Sequence, residues 1–148
     1  MKYNNELKKA FQVSIPVMMG YSVLGFAFGL LLVSFEYSWY LAPLMSLFIY
    51  AGALQFVAIS FFNVKAGMID IAIASWFINI RQSFYGLSLL KRFKDTGKFK
   101  TYLIFGLTDE TYALLTTIKD DESLNKRWYY FFLTALNQSY WFIGSTLG

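Results

Sequence analysis

The placement of charge constrains this chain more than any other feature. No Asp, Glu, Lys or Arg occurs from residue 10 to 35 or from 37 to 64, Arg81 stands alone between 71 and 90, and 128 to 148 carries none. Each stretch can span a bilayer, because a transmembrane helix needs about 20 mostly apolar residues to cross about 30 Å of hydrocarbon, whereas an apolar helix in a soluble core rarely exceeds about 14. A soluble fold would have to bury all of them, yet only 15% of the residues are charged, against about 25% in an ordinary soluble domain. No amphipathic material remains to cover such helices. The sequence therefore predicts an all-α, polytopic helical membrane protein.

Five apolar segments are expected, at about 11–34, 40–62, 67–90, 101–118 and 128–147, one or more broken by Gly or Pro, in a single membrane domain over 1–148. Lys2, Lys8 and Lys9 before the first run superficially imitate a signal peptide, but that run is too long, contains Pro16, Gly20, Gly25 and Gly29, and leads into further spans. Tyr37, Trp39 and Tyr40, and later Trp128, Tyr129 and Tyr130, read as headgroup-level anchors, with Phe61, Phe62, Phe131 and Phe132 facing lipid or packing. With the N-terminus inside, five simple spans place seven basic residues inside (Lys2, Lys8, Lys9, Lys65, Lys119, Lys126, Arg127) against five outside (Lys91, Arg92, Lys94, Lys98, Lys100). That bias is weak, and a re-entrant segment would put the N-terminus and the 91–100 loop on one side. The net charge of +4 resides in such flanking clusters and does not indicate nucleic-acid binding. Cys and His are absent, which removes disulfides, thiol chemistry and the usual haem and zinc ligand sets, so no cofactor or metal is expected.

Polar groups inside apolar runs are the candidate functional residues. Gly20, Gly25 and Gly29 follow Pro16 in IPVMMGYSVLGFAFG, and Gly25 and Gly29 form a GxxxG. Such a string either packs helices closely or opens one of them, freeing amides and carbonyls for a ligand. Gln55 is the lone polar side chain in YAGALQF, either interhelical glue worth about 0.6 kcal/mol or a ligand contact. Asn79, Arg81 and Gln82 lie near the middle of the third segment. An arginine at a helix centre costs about 2.5–3.5 kcal/mol on insertion scales and calls for a partner. Asp109 and Glu110, in GLTDETYALL, supply one: with Arg81 they sum to a formal −1, which one proton or ammonium would neutralise. The alternative is that this short segment is a loop or surface helix with both acids in water. Asn137, Gln138 and Ser139 give the last segment a polar patch suited to interhelical bonding.

Together, residues 15–29, YAGALQF, the N-x-R of Asn79 and Arg81, TDET at 108–111, and the W-x-x-G of Trp141 and Gly144 resemble the AzlC family over nearly the whole chain. The resemblance implies the large permease subunit of a bacterial branched-chain amino acid exporter in the cytoplasmic membrane, working with a small AzlD-like subunit. Two departures stand out. Members often carry an aromatic or His where this chain has Gln82, so no proton role is carried to that position, and the family's large subunit looks like seven spans, so the chain is expected to be C-terminally incomplete or to need a partner or a second copy to close its bundle.

The expected mechanism is ion-driven efflux of a small zwitterion. Amides near Gly20 to Gly29 would hold its carboxylate, Asp109 or Glu110 its ammonium or a proton, and Arg81 would keep the acids ionised until substrate arrives. A channel-like pore and a non-transporting scaffold subunit are the rivals. An enzyme is not expected, because no nucleophile is paired with His or Cys.

Overall fold

A computed structural model describes residues 3–117 and 124–148; Lys2, Lys119 and residue 118 of the fourth expected segment lie outside the described residues. All regular structure among the described residues is helical: α1 (Asn4–Ser34), α2 (Leu41–Phe48), α3 (Gly52–Asn63), α4 (Met68–Leu89), a 3-10 turn (Lys94–Phe99), α5 (Lys100–Phe105), α6 (Asp109–Thr117) and α7 (Lys126–Leu147). By length and composition α1 is the one described helix long and apolar enough to cross a membrane. The 22-residue helices α4 and α7 are diluted by Asp70, Asn79, Arg81 and Gln82, and by Asn137 and Gln138.

α1 runs unbroken for 31 residues through Pro16 and Gly20, so of the two readings of that string the opened helix is not found. Proline removes a single N–H, and Ser14 Oγ donates to the Phe11 carbonyl (3.1 Å) in the turn before it. The amides of Gly20 to Gly29 belong to a continuous helix and are not available to a carboxylate. The faces of α1 are the reverse of a soluble amphipathic helix. Its buried stripe, Ala10, Ser14, Val17, Tyr21, Gly25, Phe28 and Leu32, includes small and polar residues, while Leu7, Phe11, Ile15, Met19, Val23 and Leu30 point outward. On α4, Met68, Ile69, Trp76, Phe77 and Phe84 are likewise exposed. Exposed apolar surface on this scale marks a surface made for something other than water.

The interruptions fall instead in the second and fourth of the expected segments. The second breaks at 49–51, where buried Tyr50 adopts φ +41°. The fourth breaks at 106–108: a Cβ at Gly106 would collide with the Thr134 side chain, and Thr108 begins a new helix by accepting the Thr111 amide on its hydroxyl (3.3 Å).

The described helices pack into two compact units. The first comprises Met1–Met19 and Gln82–Ser139, the second Gly20–Arg81 and Tyr140–Gly148. The first has a core of Ala10, Leu89, Phe93, Leu103, Leu107, Leu115, Tyr129, Tyr130 and Leu133. Tyr129 and Tyr130 are therefore core residues and not headgroup anchors, and Trp128 stacks on Tyr3 (centroids 4.7 Å). Their rings fill the gaps between short helices, where a smaller side chain would leave a void. Arg92, expected as flanking charge, is a clasp: its Nε donates to the Tyr130 hydroxyl (3.1 Å) and its Nη1 to the Leu115 carbonyl in the last turn of α6. That carbonyl lies at a helix C-terminus, where cations are favoured.

Candidate functional site

The second unit is organised around Trp141 on α7. Its indole Nε1–H donates to Gln55 Oε1 at 2.7 Å, and both residues are buried. The outer edge of its ring lies against Gly52, where a Cβ would sit 3.1 Å from it. Tyr21 meets it edge-on at 5.4 Å and Phe28 stacks at 6.3 Å. One turn further, Ser145 Oγ and Ser46 Oγ share a buried hydrogen bond of 2.7 Å. The backbones of α1 and α7 are close enough to touch: a Cβ on Gly25 would lie 2.9 Å from the Ser145 nitrogen, and one on Gly144 2.9 Å from the Tyr21 carbonyl. Gly25 and Gly29 thus face Gly144 and Gly148, which share the same i, i+4 spacing, and the packing reading of that glycine string holds for these two. Gly20 does not take part, since a Cβ there would meet nothing within 4 Å.

In the first unit the TDET string is a helix start. Thr108 caps α6, Asp109 and Glu110 occupy its first turn, half-buried, and Thr111 Oγ1 accepts from Asn137 Nδ2 at 3.0 Å. Thr111 and Thr108 hydroxyls lie 3.2 Å apart. Carboxylates in a first turn are stabilised by the helix dipole, and both acids follow directly on the break at 106–108. Asn137, Thr111 and Thr134 are fully buried, and Asn137 Oδ1 and Thr134 Oγ1 have no hydrogen-bond partner among the described residues. Tyr102 donates to Gln138 Oε1 at 2.7 Å, so the polar patch of α7 does bond between helices, as expected. Replacing Thr108 with valine, which keeps the shape and removes the cap, is expected to lower stability by about 1 kcal/mol. Denaturant unfolding of the detergent-solubilised protein measures it.

Of the other expected residues, Asn79 is half-buried on α4 and Arg81 is exposed there. Only Gly86 and Leu89 of α4 are buried, which leaves the arginine on a largely uncovered helix. Arg81 belongs to the second unit and the two carboxylates to the first, and each is described within its own unit. Among the described residues no cluster of three or more His, Cys, Asp or Glu side chains forms a metal-binding group. Sequence reasoning missed the Trp141–Gln55 pair and the Thr111–Asn137 pair. A signal for the first existed, because indole N–H is donor-only and a tryptophan inside an apolar run has to find an acceptor.

The strings that meet around Trp141 and at the start of α6 are those of a known family. The profile described as AzlC protein matches residues 16–148. The chain belongs to the AzlC family. An uncharacterized membrane protein of Helicobacter pylori (strain ATCC 700392 / 26695) is 44% identical over 141 residues, covering 95% of this chain and 62% of the relative. The branched-chain amino acid transport protein AzlC of Bacillus subtilis is 36% identical over 141 residues, covering 95% and 56%. The inner membrane protein YgaZ of Escherichia coli is 30% identical over 139 residues, covering 91% and 56%. The chain thus spans about three fifths of the length of the curated relatives it matches. No solved structure matches. Within this AzlC-family chain, the W-x-x-G string supplies the indole and one of the facing glycines, YAGALQF the glycine beside the indole and the acceptor, and TDET a capped helix start.

Proposed function

We propose that the chain is part of a multi-pass secondary transporter of the bacterial cytoplasmic membrane that exports branched-chain and similar apolar amino acids, driven by an ion gradient. The observation that carries this reading is the coincidence of helix interruptions with buried polar side chains: Gln55 in the first turn after the break at 49–51, and Thr108, Thr111 and Asn137 at the break at 106–108. Broken helices with polar groups at the break, beneath an apolar exterior, are how membrane carriers expose backbone and side-chain ligands to a substrate. The Bacillus subtilis relative, named for branched-chain amino acid transport, supports the substrate class. Asp109 or Glu110 holds the substrate ammonium or exchanges a proton, Asn79 and Arg81 contribute polar groups on α4, and a small AzlD-like membrane subunit completes the assembly. One methylene in an apolar pocket is worth only about 1–3 kcal/mol, so leucine, isoleucine, valine and methionine-like analogues share the carrier.

Counterflow of labelled leucine in proteoliposomes containing the full-length protein and its small partner tests this. Saturable exchange is expected, with Asp109→Asn lowering its initial rate by about tenfold or more, the effect of losing one charge-assisted hydrogen bond. Folded assemblies that exchange no leucine would sink the substrate assignment. Counterflow does not report direction, so export is tested by leucine efflux from cells preloaded with a leucine-containing dipeptide.

A further inference from the structure

We infer that the start of α3, with Gln55 Nε2, is the subsite for the substrate's carboxylate. This assignment rests on the transport reading above and replaces α1 as the place where that group is held. The orientation of the Gln55 carboxamide follows from chemistry: the Trp141 indole can only donate, so the oxygen of Gln55 faces it at 2.7 Å and the NH2 group faces the other way. That nitrogen is buried, with no hydrogen-bond partner among the described residues, in a side chain that is 0% exposed. A buried donor of this kind is rare unless something else accepts from it.

The surroundings of the nitrogen select the ligand. The first bond inside α3 runs from the Gln55 amide to the Ala51 carbonyl (2.9 Å), so the amides of Gly52, Ala53 and Leu54 donate no bond within the helix, and no side chain caps it. Helical side chains lean toward the N-terminus, which carries the Gln55 carboxamide back over these amides. One indole both lies against Gly52 and bonds Gln55, which sets the Gln55 carboxamide beside the first turn of α3. The free donors thus lie at the positive end of a helix dipole, an environment that favours an anion and disfavours an ammonium. Among the groups of a zwitterionic amino acid, the carboxylate is the one that fits.

The test is binding of labelled leucine to the full-length protein, with two competitors that divide the substrate: 4-methylpentanoate, which keeps the carboxylate, and 3-methylbutylamine, which keeps the ammonium. The variant is Gln55→Glu, which preserves an acceptor for Trp141 and removes the donor. In wild type, the carboxylate is expected to compete and to lose its competition in Gln55→Glu, with leucine affinity falling about tenfold or more, as for a lost hydrogen bond to a charged group. Acidification protonates the introduced carboxyl, restores a donor and should recover part of the affinity, which damage to the fold would not do. Leucine affinity in folded Gln55→Glu within about twofold of wild type, a difference of about 0.4 kcal/mol, would overturn the subsite and leave the transport reading standing. A wild-type protein in which the amine competes and the carboxylate does not would overturn it as well. Folded wild-type protein that binds no leucine would remove the transport reading and the subsite together.

Discussion

Replacing Gly144 with alanine is expected to lower stability by about 2–3 kcal/mol, and replacing it with leucine to leave no folded second unit, because overpacking against groups that cannot rotate away is at the costly end of its range. The added Cβ would meet the Tyr21 carbonyl at 2.9 Å and the Ser22 carbonyl at 3.1 Å, both backbone atoms of α1. Gly25→Ala should behave similarly, since its Cβ meets the Ser145 nitrogen and the Trp141 carbonyl. Gly20→Ala provides the contrast. It lies in the same helix and the same glycine string, but its Cβ has open space, so the substitution should be neutral or stabilising by up to about 1 kcal/mol, the ordinary difference in helix propensity. Thermal unfolding of the purified protein in detergent, followed by size-exclusion profile, reads all four variants. Equal losses for Gly20→Ala and Gly25→Ala would show that the two helices do not approach through Gly25.

The second large effect is expected at Trp141. Trp141→Ala empties the centre of the second unit and should destabilise it by about 3–5 kcal/mol. Trp141→Phe retains most of the packing on Gly52, Tyr21 and Phe28 but withdraws the N–H from Gln55 Oε1, leaving a buried acceptor unsatisfied at a cost of about 1–3 kcal/mol. Adding Gln55→Met to Trp141→Phe removes that orphan, so the double variant should be less destabilised than the sum of the singles by about 1 kcal/mol or more. Denaturant midpoints for the four proteins decide it, and strict additivity would mean that the two side chains do not depend on each other.

The outline of the helices was legible because it depends on summed apolar character, which charge-free runs report directly. The interruptions were not, because a helix breaks where tertiary neighbours accept its loose ends. Pro16 and Gly20 look like breakers, yet α1 continues through both. At Gly106, where its segment does break, Thr134 occupies the space where a side chain would sit, a fact recorded only in the fold. Thr108 directly before two acids is a helix-start signal in its own right. Taken as one apolar segment over 101–118, the string sets Asp109 and Glu110 at its middle and masks that signal. Tyr129 and Tyr130 show the same limit from the other side: aromatic residues at a segment end suit a headgroup layer, but packing between short helices claimed both of these. In the candidate site, Gln55 was visible as a lone polar residue in an apolar run. The donor that fixes its orientation lies 86 positions further along the chain.

Neither packing unit is continuous along the chain, and this bears on how the protein is made. The glycine face of α1 waits for Gly144, the partner that only α7 supplies. At about 5–20 residues per second, synthesis of the intervening hundred-odd residues takes roughly 6–24 s. For that interval the first helix emerges from the ribosome with its contact surface unmatched. Packing of that glycine face therefore waits on α7, and the nascent chain presents a window in which insertion factors, or a neighbouring copy, compete for the same face.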